Sequence, residues 1–407
     1  MSNLAQSSSA PPHAPVAARA LRRLTFTLLA IEFLDELVDG SRQAAWPLIR
    51  RDLALNYAQI GLLLTVPKIV GSVVEIPLFI IADTRHRRLI VLTGGACFTL
   101  ALLLVASSHT FAFLLLAFVL FNPAAGAFVS LSQAVLMDYA PSRSEQNMAR
   151  WALAGALGVV AGSLAVNATV ATGASWRAWF GAMCAVSLVL VLAARRYVFN
   201  AADFAVARTR GASIKQGTLD AFGALRRGEV LRWLALLEFS DLMLDGFHGF
   251  LALYFVDVVG LGAGGASSAI AVWTGVGLVG DFLLIPLLER VRGLSYLRLS
   301  ALAMLFLLPA FLLAPNLYAK LFPLALMGIL NAGWYSILKA RLYSAMPEQS
   351  GAALALNNVS GLVGGLIPLA LGLFAERFGL ASMMWLLLAG PLALVVAIPR
   401  REKSFKT

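Results

Sequence analysis

Charge is scarce in this chain. Of its 407 residues 13% are Asp, Glu, Lys or Arg, while 60% are hydrophobic. A soluble globular domain carries about a quarter charged and about half apolar residues, so the composition excludes one. Cysteine is scarcer still. Cys97 and Cys184 are the whole supply, both inside apolar segments. That excludes a disulfide scaffold and a thiolate metal centre, and reads as two small buried residues. Catalytic signatures are missing as well: the sequence contains no His-Glu-x-x-His, no Gly-x-Ser-x-Gly turn and no Gly-rich phosphate loop. Zinc peptidase, serine hydrolase and ATP-driven chemistry lose their usual residues. The chain is expected to be no enzyme and to hold no cofactor or resident metal.

What is present is long apolar runs, with a mean hydropathy of +0.82. They predict a polytopic helical membrane protein. The net charge of +11 does not point to nucleic acid, because the basic residues cluster in short loops between runs and set topology. Twelve helices are expected, near 24–45, 57–82, 88–107, 110–138, 148–171, 176–195, 230–257, 264–288, 295–314, 317–343, 350–375 and 380–399. Residues 1–23 are Ser-, Ala- and Pro-rich at their start and read as a disordered tail. Arg19, Arg22 and Arg23 mimic a signal peptide, but the run behind them carries Glu32, Asp35, Glu36 and Asp39 and lacks a small-residue cleavage site. It reads as a retained first span. One side collects Arg85, Arg87, Arg88, Arg143, Arg150, the basic central segment, Arg290, Arg292, Arg298 and the tail from Arg400. The other side has Arg50, Arg51, Arg177, Lys320 and Arg377. By the positive-inside rule both termini are expected in the cytoplasm, in an inner (plasma) membrane.

Two stretches are copies of each other. Residues 31–40 read Ile-Glu-Phe-Leu-Asp-Glu-Leu-Val-Asp-Gly, and residues 237–246 read Leu-Glu-Phe-Ser-Asp-Leu-Met-Leu-Asp-Gly. Glu32, Asp35 and Asp39 recur as Glu238, Asp241 and Asp245 at an offset of 206 positions. The same offset relates Gly71 to Gly277, Glu75 to Asp281, Asp83 to Glu289, Pro141 to Pro347, Gly155 to Gly361 and Gly158 to Gly364. The chain therefore divides into six-helix bundles at 24–195 and 230–399, a cytoplasmic linker at 196–229 and a tail at 400–407. Bundles with equal, even numbers of spans share an orientation, which predicts parallel repeats about an axis along the membrane normal.

Residues 79–88 read Phe-Ile-Ile-Ala-Asp-Thr-Arg-His-Arg-Arg. With the duplicated layout, this resembles the major facilitator superfamily over nearly the whole chain. That family's loop pattern is Gly-x-x-x-Asp-Arg/Lys-x-Gly-Arg-Arg/Lys, which Asp83, Arg87 and Arg88 match and Phe79, Thr84 and His86 do not. The second half keeps Glu289 and Arg290. In the antiporter-type fifth span, Gly155, Gly158 and Gly162 are present while Ser163 stands where that signature has proline. Asp39-Gly40, Gln43, Pro47 and Tyr57 to Gly61 are faintly similar to the fosmidomycin-resistance branch of drug exporters. The resemblance implies the all-α major-facilitator fold, spans one and seven lining a central cavity, and a cytoplasmic gate at Asp83, Arg87, Arg88, Glu289 and Arg290 that favours an outward-facing state.

Carboxylates inside a bilayer are costly and are rarely kept without a use. Glu32, Asp35 and Asp39 fall at i, i+3 and i+7, on one helix face that Arg42 extends; Glu238, Asp241, Asp245 and His248 form its mate. With Glu75 and Asp281 these acids are the candidates for proton or cation coupling. The alternative use is helix-holding ion pairs with Arg42, Lys68 or Lys339. Lys68 is expected mid-membrane, either paired with a span-one acid or holding an anionic substrate group, and pairing is favoured. Lys339 and Arg341 can simply snorkel. Arg42, Lys68, His248, Asn122, Trp334, Tyr335 and Asn357 are candidates for a substrate cavity. Gln133, Asn167, Trp273 and Asn358 are polar or amphipathic within spans too, where inter-helix bonding is the common use. The functional expectation is a monomeric secondary transporter that exports a small organic solute or drug against protons. A divalent-metal exporter using the same acids is the alternative. Its partners are a small-molecule substrate, protons or other cations, and the lipid bilayer, with no nucleic acid.

Overall fold

A computed structural model describes residues 14–82, 87–139, 144–197, 226–345, 361–362 and 364–399. Asp83, Asn357 and Asn358 lie outside these residues, as do Pro141, Pro347, most of the linker and the tail from residue 400. Helix α1 (Ala14–Leu53) is followed by α2 (Tyr57–Ala82), α3 (Arg87–Ala106) and α4 (Phe111–Ala125). A π-helical turn at Gly126–Ser130 joins α4 to α5 (Leu131–Tyr139), then come α6 (Ser144–Ala171) and α7 (Trp176–Tyr197). The second half opens with α8 (Gly228–Asp241), a π turn at Leu242–Gly246 and α9 (Phe247–Asp257). It continues as α10 (Ala263–Arg290), α11 (Gly293–Leu313), α12 (Leu317–Asn331), α13 (Trp334–Ser344), α14 (Ile367–Phe378), α15 (Leu380–Leu386) and α16 (Ala389–Ala397).

The expected tail is corrected here, because α1 is helical from Ala14 onward. Ala, Arg and Leu dominate that stretch, and its Pro15 sits in the first turn, where a missing N–H costs nothing. Nine helices among the described residues are long and apolar enough to cross a membrane. The other three expected spans are the two that carry the acids and the one at 350–375, of which residues 350–360 and 363 lie outside the described residues. Large apolar side chains face outward along these helices, among them Phe26, Phe306 and Val396, as lipid contact requires and water does not permit.

Small residues bring the helices together. Gly158 and Gly162 on α6 sit against the α1 backbone at Phe33, Leu37 and Ser41, and Gly40 on α1 sits against Val159. Ser41 Oγ donates to the Gly162 carbonyl at 3.3 Å, and Trp179 Nε1 donates to Ser41 at 2.8 Å. Close glycine-lined approach is how helices gain contact where lipid removes the hydrophobic drive.

Contacts repeat at the same offset as the sequence. Gly71 packs against Asn122, and its mate Gly277 packs against Gly328, the mate of Asn122. Gly94 packs against Phe128, and the mates Ser300 and Trp334 meet through a 2.9 Å indole hydrogen bond. Glu32 and Glu238 each lie on a glycine, but not at the shared offset: Glu32 meets Gly155, whereas Glu238 meets Gly364, three positions past the mate of Gly155. The two halves are built alike.

They meet at the end away from the N-terminus, here called the far end. Arg50, at the end of α1, pairs with Asp257 at the end of α9. Tyr57 Oη donates to the same carboxylate at 2.9 Å, and the Tyr57 backbone N–H donates to Glu376 at 2.9 Å. Gly61 and Gly372 let α2 and α14 touch through backbone atoms. Asn167 on α6 donates to Ser268 on α10 at 3.0 Å.

Candidate functional site

The acids are divided among different partners. Asp39 pairs with Arg42 and accepts from Gln43 Nε2 at 2.7 Å, so one helical turn of α1 neutralises its own carboxylate. Glu32 accepts from the Trp151 side chain and is buried against Gly155 of α6. It faces a helix contact rather than open space, unlike the expectation that all three α1 acids share one cavity-lining face. Seven residues put Glu32 and Asp39 on one face but about 10 Å apart along the axis, so each meets different neighbours. Asp35 lies within electrostatic reach of Asp39, Arg42 and Glu75. Glu75 in turn packs against Gly126, in the π turn between α4 and α5.

In the second half the acids cross over. Lys68 Nζ binds Asp245 Oδ2 at 2.8 Å, joining α2 of one half to the π turn of the other. The expected partner on span one is thus corrected: Arg42 already occupies Asp39, and Asp245 is the open carboxylate. Asp245 is 61% exposed between the halves, so water reaches the pair. A π turn is an uncommon local widening that often marks a functional position. It has no counterpart in α1, which is α-helical throughout the mate of this segment. Asp241 lies within reach of Asp245, Lys68 and Glu238.

His248 stands between the two systems, within reach of Asp39, Asp245 and Arg42, and its buried Nε2 has no hydrogen-bond partner. It also lines a cavity of about 340 Å³ with Ala156 and Val159 of α6, Trp273, Thr274 and Asp281 of α10, Asn331 of α12, and Trp334 and Tyr335 of α13. Ala332 and Gly333 break the helix there, and Gly333 has φ +72°. Its freed backbone N–H donates to the Asp281 carboxylate. The cavity therefore owes its shape to a glycine in the left-handed region that few other residues tolerate.

The remaining candidates divide clearly. Trp334 and Tyr335 line the cavity as expected, whereas Asn122 is spent on packing against Gly71 within its own half. Arg42 is held by Asp39. Lys339 donates to Tyr335 Oη at 2.9 Å. Arg87 is buried and Arg88 exposed at the start of α3, while Glu289 and Arg290 are exposed at the end of α10. The far-end clasp of Arg50, Tyr57, Asp257 and Glu376, the hydrogen bond from Trp151 and the buried Asn331 escaped the sequence reading. Only proximity in space distinguishes them from ordinary polar residues at helix ends or inside spans. Among the described residues no group of three or more His, Cys, Asp or Glu is placed to hold a metal ion.

Matching a family model confirms what this geometry suggests. The model of the Major Facilitator Superfamily matches residues 28–368. The chain belongs to the Major Facilitator Superfamily. No curated protein matches it. Solved structures share the fold at low identity. The nucleoside transporter NupG has TM-score 0.75 and 15% identity, covering 92% of this chain and 98% of its own. A bacterial homologue of the human lysosomal transporter Spinster, inward-facing and unoccupied, has TM-score 0.69 and 16% identity, with 96% and 95% covered. A bacterial homologue of the human drug peptide transporters PepT1 and PepT2 has TM-score 0.65 and 13% identity, with 93% and 96% covered. As a Major Facilitator protein the chain is an integral membrane transporter for small molecules and not an enzyme.

Proposed function

We propose that this transporter works by alternating access and couples proton movement to the export of a small organic solute or drug. The observation that carries the reading is the Lys68–Asp245 pair, which ties the halves together at mid-span. Nine carboxylates sit inside the spans, away from their ends: Glu32, Asp35, Glu36, Asp39, Glu75, Glu238, Asp241, Asp245 and Asp281. Arg42 and Lys68 are the cations set among them. So many like charges in a low-dielectric interior cannot all be ionised at once, which supports protons as the balancing ions. Adding a proton to Asp245 removes the attraction that holds Lys68, and so loosens one tie between the halves. The far-end clasp supports closure on that side in this conformation, with the tail side, which the basic loops assign to the cytoplasm, as the entry for solute. Export as the direction rests on the similarity of residues 39–61 to fosmidomycin-resistance exporters.

The test is purified protein in liposomes under an imposed pH gradient, with a panel of labelled solutes. Transport should follow the gradient, and Asp39→Asn and Asp245→Asn should each abolish that response while the protein still folds. Wild-type transport indifferent to the gradient refutes the coupling. Two variants that respond like the wild type move the coupling site to Glu32, Glu75 or Glu238.

A further inference from the structure

The break between α12 and α13 leaves more acceptors than donors. The Ala332 N–H bonds the Ile329 carbonyl instead of that of Gly328, whose oxygen faces Gly277 of α10 at the cavity wall. Tyr296 Oη lies 3.4, 3.3 and 3.2 Å from the carbonyl oxygens of Ile329, Leu330 and Ala332, and one hydroxyl proton serves one of them at a time. Asn331 is 6% exposed, and its Oδ1 accepts no hydrogen bond.

Asp281 faces the same turn. Gly280 beside it packs against Ile329 and Ala332, and the Gly333 N–H reaches the Asp281 carboxylate. Among the described residues no Lys, Arg or His lies within ion-pair distance of Asp281. The cations near the path are set on other groups: Arg42 on Asp39, Lys68 on Asp245 and Lys339 on Tyr335. His248 shares the cavity, but its charged neighbours are Asp39, Asp245 and Arg42. A mid-span carboxylate without a counter-charge and a buried amide oxygen without a donor both call for a cation. The C-terminal end of a helix is its negative end, and broken spans hold ions through such ends and their freed carbonyls. All the donors are oxygens and one of them is charged, which suits a hard monovalent ion, whereas divalent ions gain from several carboxylates. One helical turn and one facing side chain close on a small radius, which favours sodium over potassium.

We infer that Asp281, Asn331 Oδ1 and the freed carbonyls at the end of α12 bind an exchangeable sodium ion at the cavity wall. The ion neutralises Asp281 without a proton. The inference goes beyond proton coupling at Asp39 and Asp245 and does not depend on it, because binding is read at equilibrium with no gradient.

Purified protein in detergent at a fixed, mildly alkaline pH is incubated with radioactive sodium, and bound label is read by scintillation proximity. Binding should saturate. Unlabelled sodium chloride should displace the label, and potassium, choline and calcium chlorides at equal ionic strength should do so at least tenfold less well. Asp281→Asn should abolish saturable binding. Asn331→Leu should weaken sodium about tenfold and leave the melting temperature near that of the wild type, since it removes an acceptor that no donor satisfies. This second variant carries the test if Asp281→Asn fails to fold for want of its bond from Gly333. Absence of saturable label, equal displacement by potassium or calcium, or undiminished binding in a folded variant overturns the proposal. None of these results bears on the response to a pH gradient, so the two readings fail separately.

Discussion

Lys68 and Asp245 need each other because neither is comfortable alone at mid-span. An uncompensated charge there is far costlier than a paired one. Lys68→Met should therefore lower the thermal stability of the purified protein by leaving Asp245 without its cation. The double variant Lys68→Met with Asp245→Asn should recover part of that loss. The coupling energy from the four melting curves should fall at the lower end of about 0.5–3 kcal/mol, since water reaches both side chains. Additive single effects would show that the 2.8 Å contact carries no energy of its own.

At the scale of elements, the α1–α6 crossing depends on bare backbone. Gly158 leaves no room for a side chain between α6 and Phe33 of α1, whereas a Cβ at Gly181 on α7 meets nothing within 4 Å. Gly158→Leu should destabilise the fold by about 1–3 kcal/mol or prevent it, as overpacking does. Gly181→Ala should be neutral or raise stability by up to about 1 kcal/mol, because it only removes backbone freedom in a helix. Melting temperatures in detergent separate the two. The break between α12 and α13 is a different case. At Gly333, φ +72° and the contact with Leu284 both disfavour a side chain. Gly333→Ala should cost about 1–2 kcal/mol, read as a lower melting temperature, because it places a Cβ in the left-handed region.

For the whole molecule, the far-end clasp decides which way the path is open. Asp257 receives both Arg50 and Tyr57, so Asp257→Ala releases two contacts between the halves at once. On a background with Cys97 and Cys184 replaced, a Thr65→Cys reporter lies behind the clasp, where Thr65 Oγ1 now accepts from the Leu369 backbone N–H. Labelling of that cysteine from the far side should rise severalfold in Asp257→Ala. Unchanged labelling would show that the α2–α14 glycine contact alone holds this end shut.

Much of this architecture was legible in the residues. Apolar runs determine spans, since a backbone in lipid has few options besides helix. The offset of 206 positions revealed the two halves, and the same offset reappears in contacts such as Gly71 with Asn122 and Gly277 with Gly328. The acids were recognisable because charge in a membrane is costly wherever it lies. Their partners were not. Spacing along α1 groups Glu32 with Asp39, yet α6 covers the first and Arg42 takes the second. Lys68 meets an acid 177 positions away, and the clasp joins residues 50, 57, 257 and 376. Periodicity tells which residues share a helix face, but only the packing of one half on the other determines what that face meets.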